Sequence, residues 1–391
     1  MSEMAEILSA FDALCGEGKP CALATVIAVE GSAYRRPSAR MLVAEDGRTW
    51  GGVSGGCLER DVARRARGVI ASGRGAVCRY DTTDDEELAG GAATGCGGTI
   101  DLFIQPLSRE MPGPLDYFAL VVKGRQSVTV ATVIRAGGKL SDRIGISTTR
   151  SDGDWLDAMA SSDQELADCF DEFVSATDAL ARIVHVDLVD GSADLFVEWI
   201  LPPQSLVIFG GGPDAAPVVA IAKTLGWHVT VVGARPSSAM PERFGMADVL
   251  CVTPADDPTE GVEIRAGAAV VLMTHNFARD RLILENLPAR LGYLGILGPR
   301  LRTDRLLSEL GRENIAGPIE PFAPVGLDLG ARTPPEIALS IVAEIQGVIR
   351  GTAPVSLRDR PGPIHPIVEA VNQDGAPGGV VQSGWERACP A

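Results

Sequence analysis

The sequence predicts an α/β protein of two domains, a doubly wound parallel sheet following an N-terminal mixed α/β domain, and three observations predict it. The chain of 391 residues exceeds one ordinary domain. Hydrophobic residues at 46% and charged residues at 22% are a globular balance, while 45 glycines and 5% aromatics point to small-residue packing and many tight turns. Pro202-Pro203 then lead into SLVIFGGGPDAAPVVAIAKTLGWHVTVVGARP, which reads as strand, glycine-rich turn, helix and strand. That is the βαβ unit of a Rossmann-like domain.

Taken in order, residues 4–16 (MAEILSAFDALCG) space their apolar positions as an amphipathic helix does and stop at Gly16. PCALATVIAVEGSA reads as a buried strand, RMLVAEDGRTWGGVS as a hairpin about Asp46-Gly47, and CLERDVARRARGVIASG as a helix closed by Gly73. DTTDDEELAGGAATGCGG is a loop before the strand TIDLFIQPL. DYFALVVKG, SVTVATVIRAGG and RIVHVDLVDGSADLFVEWI read as strands and hairpins around an acidic helical segment near 154–180. CALATVI and VTVATVI resemble each other, which hints at a repeated strand. The N-terminal domain is therefore placed at 1–200 and the Rossmann-like domain at 203–352. In the latter, AAVVLMTH and YLGILG supply further strands, and Thr333, Pro334 and Glu336 start the last helix with a capping box. Residues 353–391 form a Pro- and Gly-rich tail.

A net charge of -16 argues against general affinity for nucleic acid or an anionic membrane surface. No run of 18 apolar residues is present to span a bilayer. The eight cysteines form no C-x-x-C pair, and the N-terminus lacks the basic-then-apolar pattern of a signal peptide. Together these predict a cytoplasmic protein with free thiols.

The chemistry-bearing motifs fall in both domains. Gly210, Gly212 and Ala215 fit G-x-G-x-x-A directly after a strand, where backbone amides can approach a diphosphate at a helix N-terminus. The second strand ends at Gly233 where an acid would bind a ribose hydroxyl, and Arg235 nearby suits an extra phosphate. A crevice no longer in use is the open alternative. Thr274-His275-Asn276 ends another strand, with Asp280 following, so His275 could serve as acid or base or simply bond the loop. Arg300 and Arg302 open a further helix, as an anion site or as a solvated basic turn.

In the first domain, EGSAYRRPSARM sets Ser32, Arg35, Arg36 and Arg40 in one Pro-broken loop, and Arg forks suit phosphate oxygens. Cys57 follows Ser54, Gly55 and Gly56 at the start of a helix, where the positive end of the dipole favours thiolate. Cys96 lies in a similar TGCGG setting. Such thiols can ligate a soft metal, carry sulfur, or pack as small buried residues.

In this order, GSAYRRPSARMLV, GGVSGGCLERDV, GCGGTIDLFIQPL, LVIFGGGPDAAPV, LMTHNFARD, YLGILGPRLRTDRLL and VGLDLGARTPPEIALSIVAEI resemble the xanthine dehydrogenase accessory factor family (XdhC/CoxI) over about residues 5–350. The resemblance implies a cytoplasmic, homodimeric maturation factor. Such a factor binds the molybdenum–molybdopterin cofactor and holds it while a cysteine desulfurase supplies the sulfido ligand. It then delivers the cofactor to an apo molybdenum hydroxylase of the xanthine dehydrogenase type. The family's motif cysteines fall on Cys57 and Cys96, with Cys57 a candidate molybdenum ligand, and its glycine-arginine block includes Arg332. Gly233 and Asn276 stand where the family commonly has acidic residues. Two other readings remain. One is an NAD(P)-dependent oxidoreductase using the Rossmann crevice, with His275 as acid or base and Asp280 as its orienter. The other is a scaffold whose work is protein contact.

Overall fold

The computed structural model describes residues 3–31, 34–81, 98–109, 113–151, 154–156, 181–188, 191–234, 241–311 and 320–359. The chain divides into two compact units, Glu3–Pro202 and Pro203–Arg360.

The first unit opens with α1 (Glu3–Gly16), whose buried Ile7, Ala10, Phe11 and Leu14 recur at helical spacing. β1 (Cys21–Gly31), β2 (Arg40–Ala44), β3 (Thr49–Gly51), β4 (Ala76–Asp81) and β5 (Gly98–Leu107) form an antiparallel sheet in the order β3-β2-β1-β5-β4. α2 (Glu59–Ser72) lies between β3 and β4 in sequence and ends on Gly73, whose φ of 67° is the left-handed conformation that favours glycine. The predominantly apolar run of β1 reflects burial on both faces. Ala22, Ala24 and Val26 pack with Val62, Ala66 and Val69 of α2, while Cys21 and Leu23 pack with α1.

The same plan then repeats. α3 (Pro114–Gly124) is followed by β6 (Val128–Ala136), β7 (Ser147–Ser151), β8 (Asp154–Leu156), β9 (Ala181–Leu188) and β10 (Gly191–Ile200), in the order β8-β7-β6-β10-β9. Strand by strand this is the order of the first sheet. The register agrees as well: Cys21 faces Leu107 and Thr25 faces Phe103, as Val128 faces Ile200 and Thr132 faces Phe196. CALATVI paired with DLFIQPL is thus matched by VTVATVI paired with DLFVEWI. Both pairs carry a β-bulge at the same place, where Ile27 and Ile134 are the unpaired extra residues. Ile27, Phe103, Ile134 and Phe196 then pack into one buried cluster joining the two sheets. The repeated strand hinted at by the sequence is part of a duplicated half-domain. Residues 157–180, between β8 and β9 in sequence, lie outside the described residues.

Two expectations are corrected here. DYFALVVKG is helical, part of α3: Pro114 occupies the first turn, the Asp116 carboxylate accepts from the Gly113 N–H at 2.8 Å, and Tyr117, Phe118 and Val121 bury one face. Asp154–Leu156, assigned to a helical segment, is strand β8 paired with β7.

The second unit contains β11 (Ser205–Phe209), α4 (Ala215–Thr224), β12 (His228–Gly233), α5 (Pro241–Phe244), β13 (Val249–Val252), β14 (Ala269–Leu272), α6 (Phe277–Asn286), β15 (Tyr293–Ile296), α7 (Arg300–Leu310) and α8 (Pro334–Ile349). Its parallel sheet has the order β13-β12-β11-β14-β15. Leu206 and Ile208 of β11 pack toward α4 and α8, while Val207 and Phe209 pack toward α6 and α7. This is a doubly wound sheet with a core on each face. The strand order reverses between β11 and β14, so a crevice opens beyond their C-terminal ends. Gly210 has φ 146°, and a Cβ there would lie 2.3 Å from the Met273 carbonyl oxygen, so only glycine lets the chain leave β11 this close to β14.

Candidate functional site

Two places in the fold gather chemistry-bearing side chains. In the first unit, the turn between β3 and α2 is organised by Glu59. Its Oε1 accepts from the N–H groups of Val53 (3.2 Å) and Ser54 (2.8 Å), and its Oε2 accepts from Ser54 Oγ at 2.5 Å. Burial alone would raise the Glu59 carboxyl; these hydrogen bonds outweigh it and hold it below its ordinary value. Ser54 Oγ in turn accepts from the N–H groups of Gly56 (3.2 Å) and Leu58 (3.1 Å) and from the thiol of Cys57 at 3.4 Å. Gly55 and Gly56 leave this turn without side chains, and Gly56 has φ 112°. Cys57 precedes the N-cap residue Leu58 of α2. Among the described cysteines it is the exposed one. Cys21 and Cys78 are buried, and burial pushes the Cys21 thiol up to about 12 and that of Cys251 upward as well. Cys96 and Ser32 lie outside the described residues.

The arginine loop is tied to this turn. Arg35 donates to Glu3 Oε1 of α1, and the same carboxylate accepts from the Gly52 N–H at 3.2 Å. Arg35 Nε is buried with no hydrogen-bond partner. Arg36 makes no ion pair among the described residues, and partial burial lowers its pKa. Tyr34 is 71% exposed, its ring against Gly55. Arg40 is a correction: it is not a loop residue open to an anion but the first residue of β2, 4% exposed. Its guanidinium donates to both carboxylate oxygens of Glu198 and lies 4.1 Å from the Phe118 ring centroid. The buried Glu198 carboxylate is a long-range partner, 158 residues away, that no local motif marks.

In the second unit, Gly210, Gly212 and Ala215 form the turn from β11 into α4, as expected from G-x-G-x-x-A. His275 follows β14 with φ 54°, unusual for a residue with a side chain, and its Nε2 lies 2.8 Å from Asp214 Oδ2. The expected orienter of His275 was Asp280; the structure assigns that place to Asp214. Asp280 is 1% exposed and instead accepts from Thr274 Oγ1 and, at 2.7 Å, from Arg302. Asp214 also alters the turn itself, because a Cβ on Gly212 would meet its Oδ1 at 2.5 Å. The space that glycine leaves for a diphosphate is occupied by a carboxylate. An acid inside the glycine-rich turn was the available signal for this pairing. Asn276 caps α6, its side chain accepting from the Arg279 N–H at 3.1 Å. Arg300 opens α7 and is exposed; Arg332 is exposed, its backbone N–H donating to Glu336 at 2.7 Å; Arg235 lies outside the described residues.

Family models match both units: "XdhC and CoxI family" over residues 14–81 and "XdhC Rossmann domain" over 206–345. A relative in Bacillus subtilis (strain 168), named as a probable subunit of xanthine dehydrogenase, is 30% identical over 335 residues, covering 85% of this chain and 94% of the relative. The chain belongs to the XdhC and CoxI family. A further relative, the molybdenum cofactor insertion chaperone PaoD of Escherichia coli (strain K12), is 26% identical over 340 residues, 85% of this chain and 84% of PaoD. The crystal structure of a Bacillus halodurans protein described as a xanthine dehydrogenase aligns with a TM-score of 0.71 at 30% identity, covering 91% of this chain and 98% of that one. Both units of the fold are thus those of the family. Among the described residues no helix is long and apolar enough to cross a membrane.

Proposed function

We propose that this protein is a maturation factor for a molybdenum hydroxylase, with the molybdenum–molybdopterin cofactor as its cargo. The observation that carries the reading is the exposed Cys57 on a hydrogen-bonded glycine turn, joined through Glu3 to the loop of Arg35 and Arg36. The donor set fits the cargo chemically. Molybdenum in a dithiolene is a soft centre that thiolate sulfur suits, and the pterin's phosphate suits a guanidinium that makes no ion pair among the described residues. Among the described residues Arg36 makes no ion pair and supplies that guanidinium, while the Arg35 guanidinium is held by Glu3.

Within this reading Cys57 holds or shields the metal, assisted by Cys96, and the arginine loop anchors the phosphate. A cysteine desulfurase supplies the sulfido ligand while the cargo is held, and a homodimer hands it to an apo-enzyme of the xanthine dehydrogenase type in the cytoplasm. The name of PaoD supports cofactor insertion as the family's work, and the name of the Bacillus subtilis relative supports the class of client. Incubation with the cofactor followed by gel filtration tests the reading. Near-equimolar molybdenum and pterin should co-elute with the protein, and Cys57→Ala should lose molybdenum retention at least several-fold. A folded protein that elutes with neither component, or a Cys57→Ala/Cys96→Ala double variant that retains both and still activates the apo-enzyme, would sink it.

A further inference from the structure

Tyr34 belongs neither to the residues that the motifs mark nor to the packed core. An aromatic side chain exposed on its own is ordinary. Its setting is what distinguishes it. The ring atoms Cγ, Cδ1 and Cδ2 lie 3.5, 3.7 and 3.8 Å from the position a Cβ on Gly55 would take, so the base of the ring lies alongside Gly55 in the turn that presents Cys57. The rest of the ring is uncovered, the side chain being 71% exposed. Glu3, bonded to both Arg35 and Gly52, fixes the loop that carries Tyr34 against that turn. Ring, unpaired guanidinium and thiol are therefore carried by two loops that cannot move apart without breaking these contacts.

We propose that Tyr34 is the stacking platform for the conjugated ring of the bound ligand, a planar heterocycle with an anionic group. Under the maturation reading, on which this inference rests, that ring is the pterin of the cofactor. An aromatic face is attracted to a conjugated ring without needing specific hydrogen bonds, and a tyrosine loses little conformational freedom on binding. Arg36 takes the anionic end and Cys57 the metal, so Tyr34 is a positioning residue that sets how the cargo lies between them.

The test titrates cofactor, released anaerobically from a purified molybdenum hydroxylase, into the full chain carrying Tyr34→Ala, Tyr34→Phe or Tyr34→Trp. Binding is read by fluorescence and by pterin and molybdenum content after gel filtration. Tyr34→Ala should weaken binding by about 5- to 150-fold, the range spanned by single base–aromatic stacks. Tyr34→Phe and Tyr34→Trp should stay within a few-fold of wild type, which separates stacking from hydrogen bonding by the hydroxyl. The alkylation rate of Cys57 without cofactor should be unchanged in Tyr34→Ala. A several-fold change would assign Tyr34 to holding the turn and overturn the proposal. Wild-type protein that binds cofactor with Tyr34→Ala equally tight defeats the stacking role alone. Wild-type protein that binds none defeats the maturation reading beneath it.

Discussion

Asp61 shows how single residues pin the helix behind the Cys57 turn. Its carboxylate accepts from Arg64 (2.7 Å), Arg65 (2.7 Å) and the hydroxyl of the buried Tyr80 on β4 (2.8 Å), so α2 is fastened to the sheet at its first turn. Burial pushes its pKa up, but the three donors together outweigh burial and bring it down to about 2 from 3.8. The folded form therefore binds the proton less readily than the unfolded chain. The stabilisation is complete above about pH 4 and disappears as pH falls through 2, and for a side chain 29% exposed it is worth about 1 kcal/mol after screening. Urea denaturation at pH 7 and pH 3 should show wild type losing more stability than Asp61→Asn over that interval; equal losses would remove Asp61 from the account. The residue scale is also where sequence reading reached least. It could name Arg40, His275 and Asp280, but their partners Glu198, Asp214 and Arg302 come from remote segments, and charge pairing leaves no periodic trace in a chain.

At the scale of elements the sequence is far more legible, since burial on two faces writes β1 and β11 as predominantly apolar runs and Gly73 closes α2 where a left-handed residue is required. The error at α3 has the same physics: a short segment rich in β-branched and aromatic residues satisfies a buried helix as well as a strand, and Asp116, whose carboxylate caps the Gly113 N–H, is what decides. The duplication was visible as seven similar residues, whereas the shared register and bulge needed the paired strands. Its energetic centre is the cluster of Ile27, Phe103, Ile134 and Phe196, two equivalent residues from each half. Phe103→Ala and Phe196→Ala should each cost about 3–5 kcal/mol in urea denaturation. Because the two side chains line one cluster, the double variant should cost less than the sum. Strict additivity would mean that the two halves do not share a core.

For the molecule as a whole, the question is which unit would recognise the proposed cargo. The Rossmann-like unit retains the glycine turn and switch-point crevice, the features that invite a nucleotide reading. Two details speak against a dinucleotide. β12 ends on Gly233, which has no side chain for a ribose, and the Asp214 carboxylate, held by His275, fills the space beside Gly212 that a diphosphate would need. Bringing a diphosphate against an anion that is only 24% exposed means losing the His275 contact or accepting like-charge repulsion in a poorly hydrated place. Calorimetric titration of the wild-type chain with NADPH at millimolar concentration should therefore give no binding heat. Asp214→Asn removes the charge at nearly constant volume, and if charge is what excludes the diphosphate, this variant should gain measurable affinity. Micromolar binding by wild type would reverse the assignment. It would make the crevice the working site and return His275, with Asp214 as its orienter, to the role of acid or base in a nucleotide-dependent reaction.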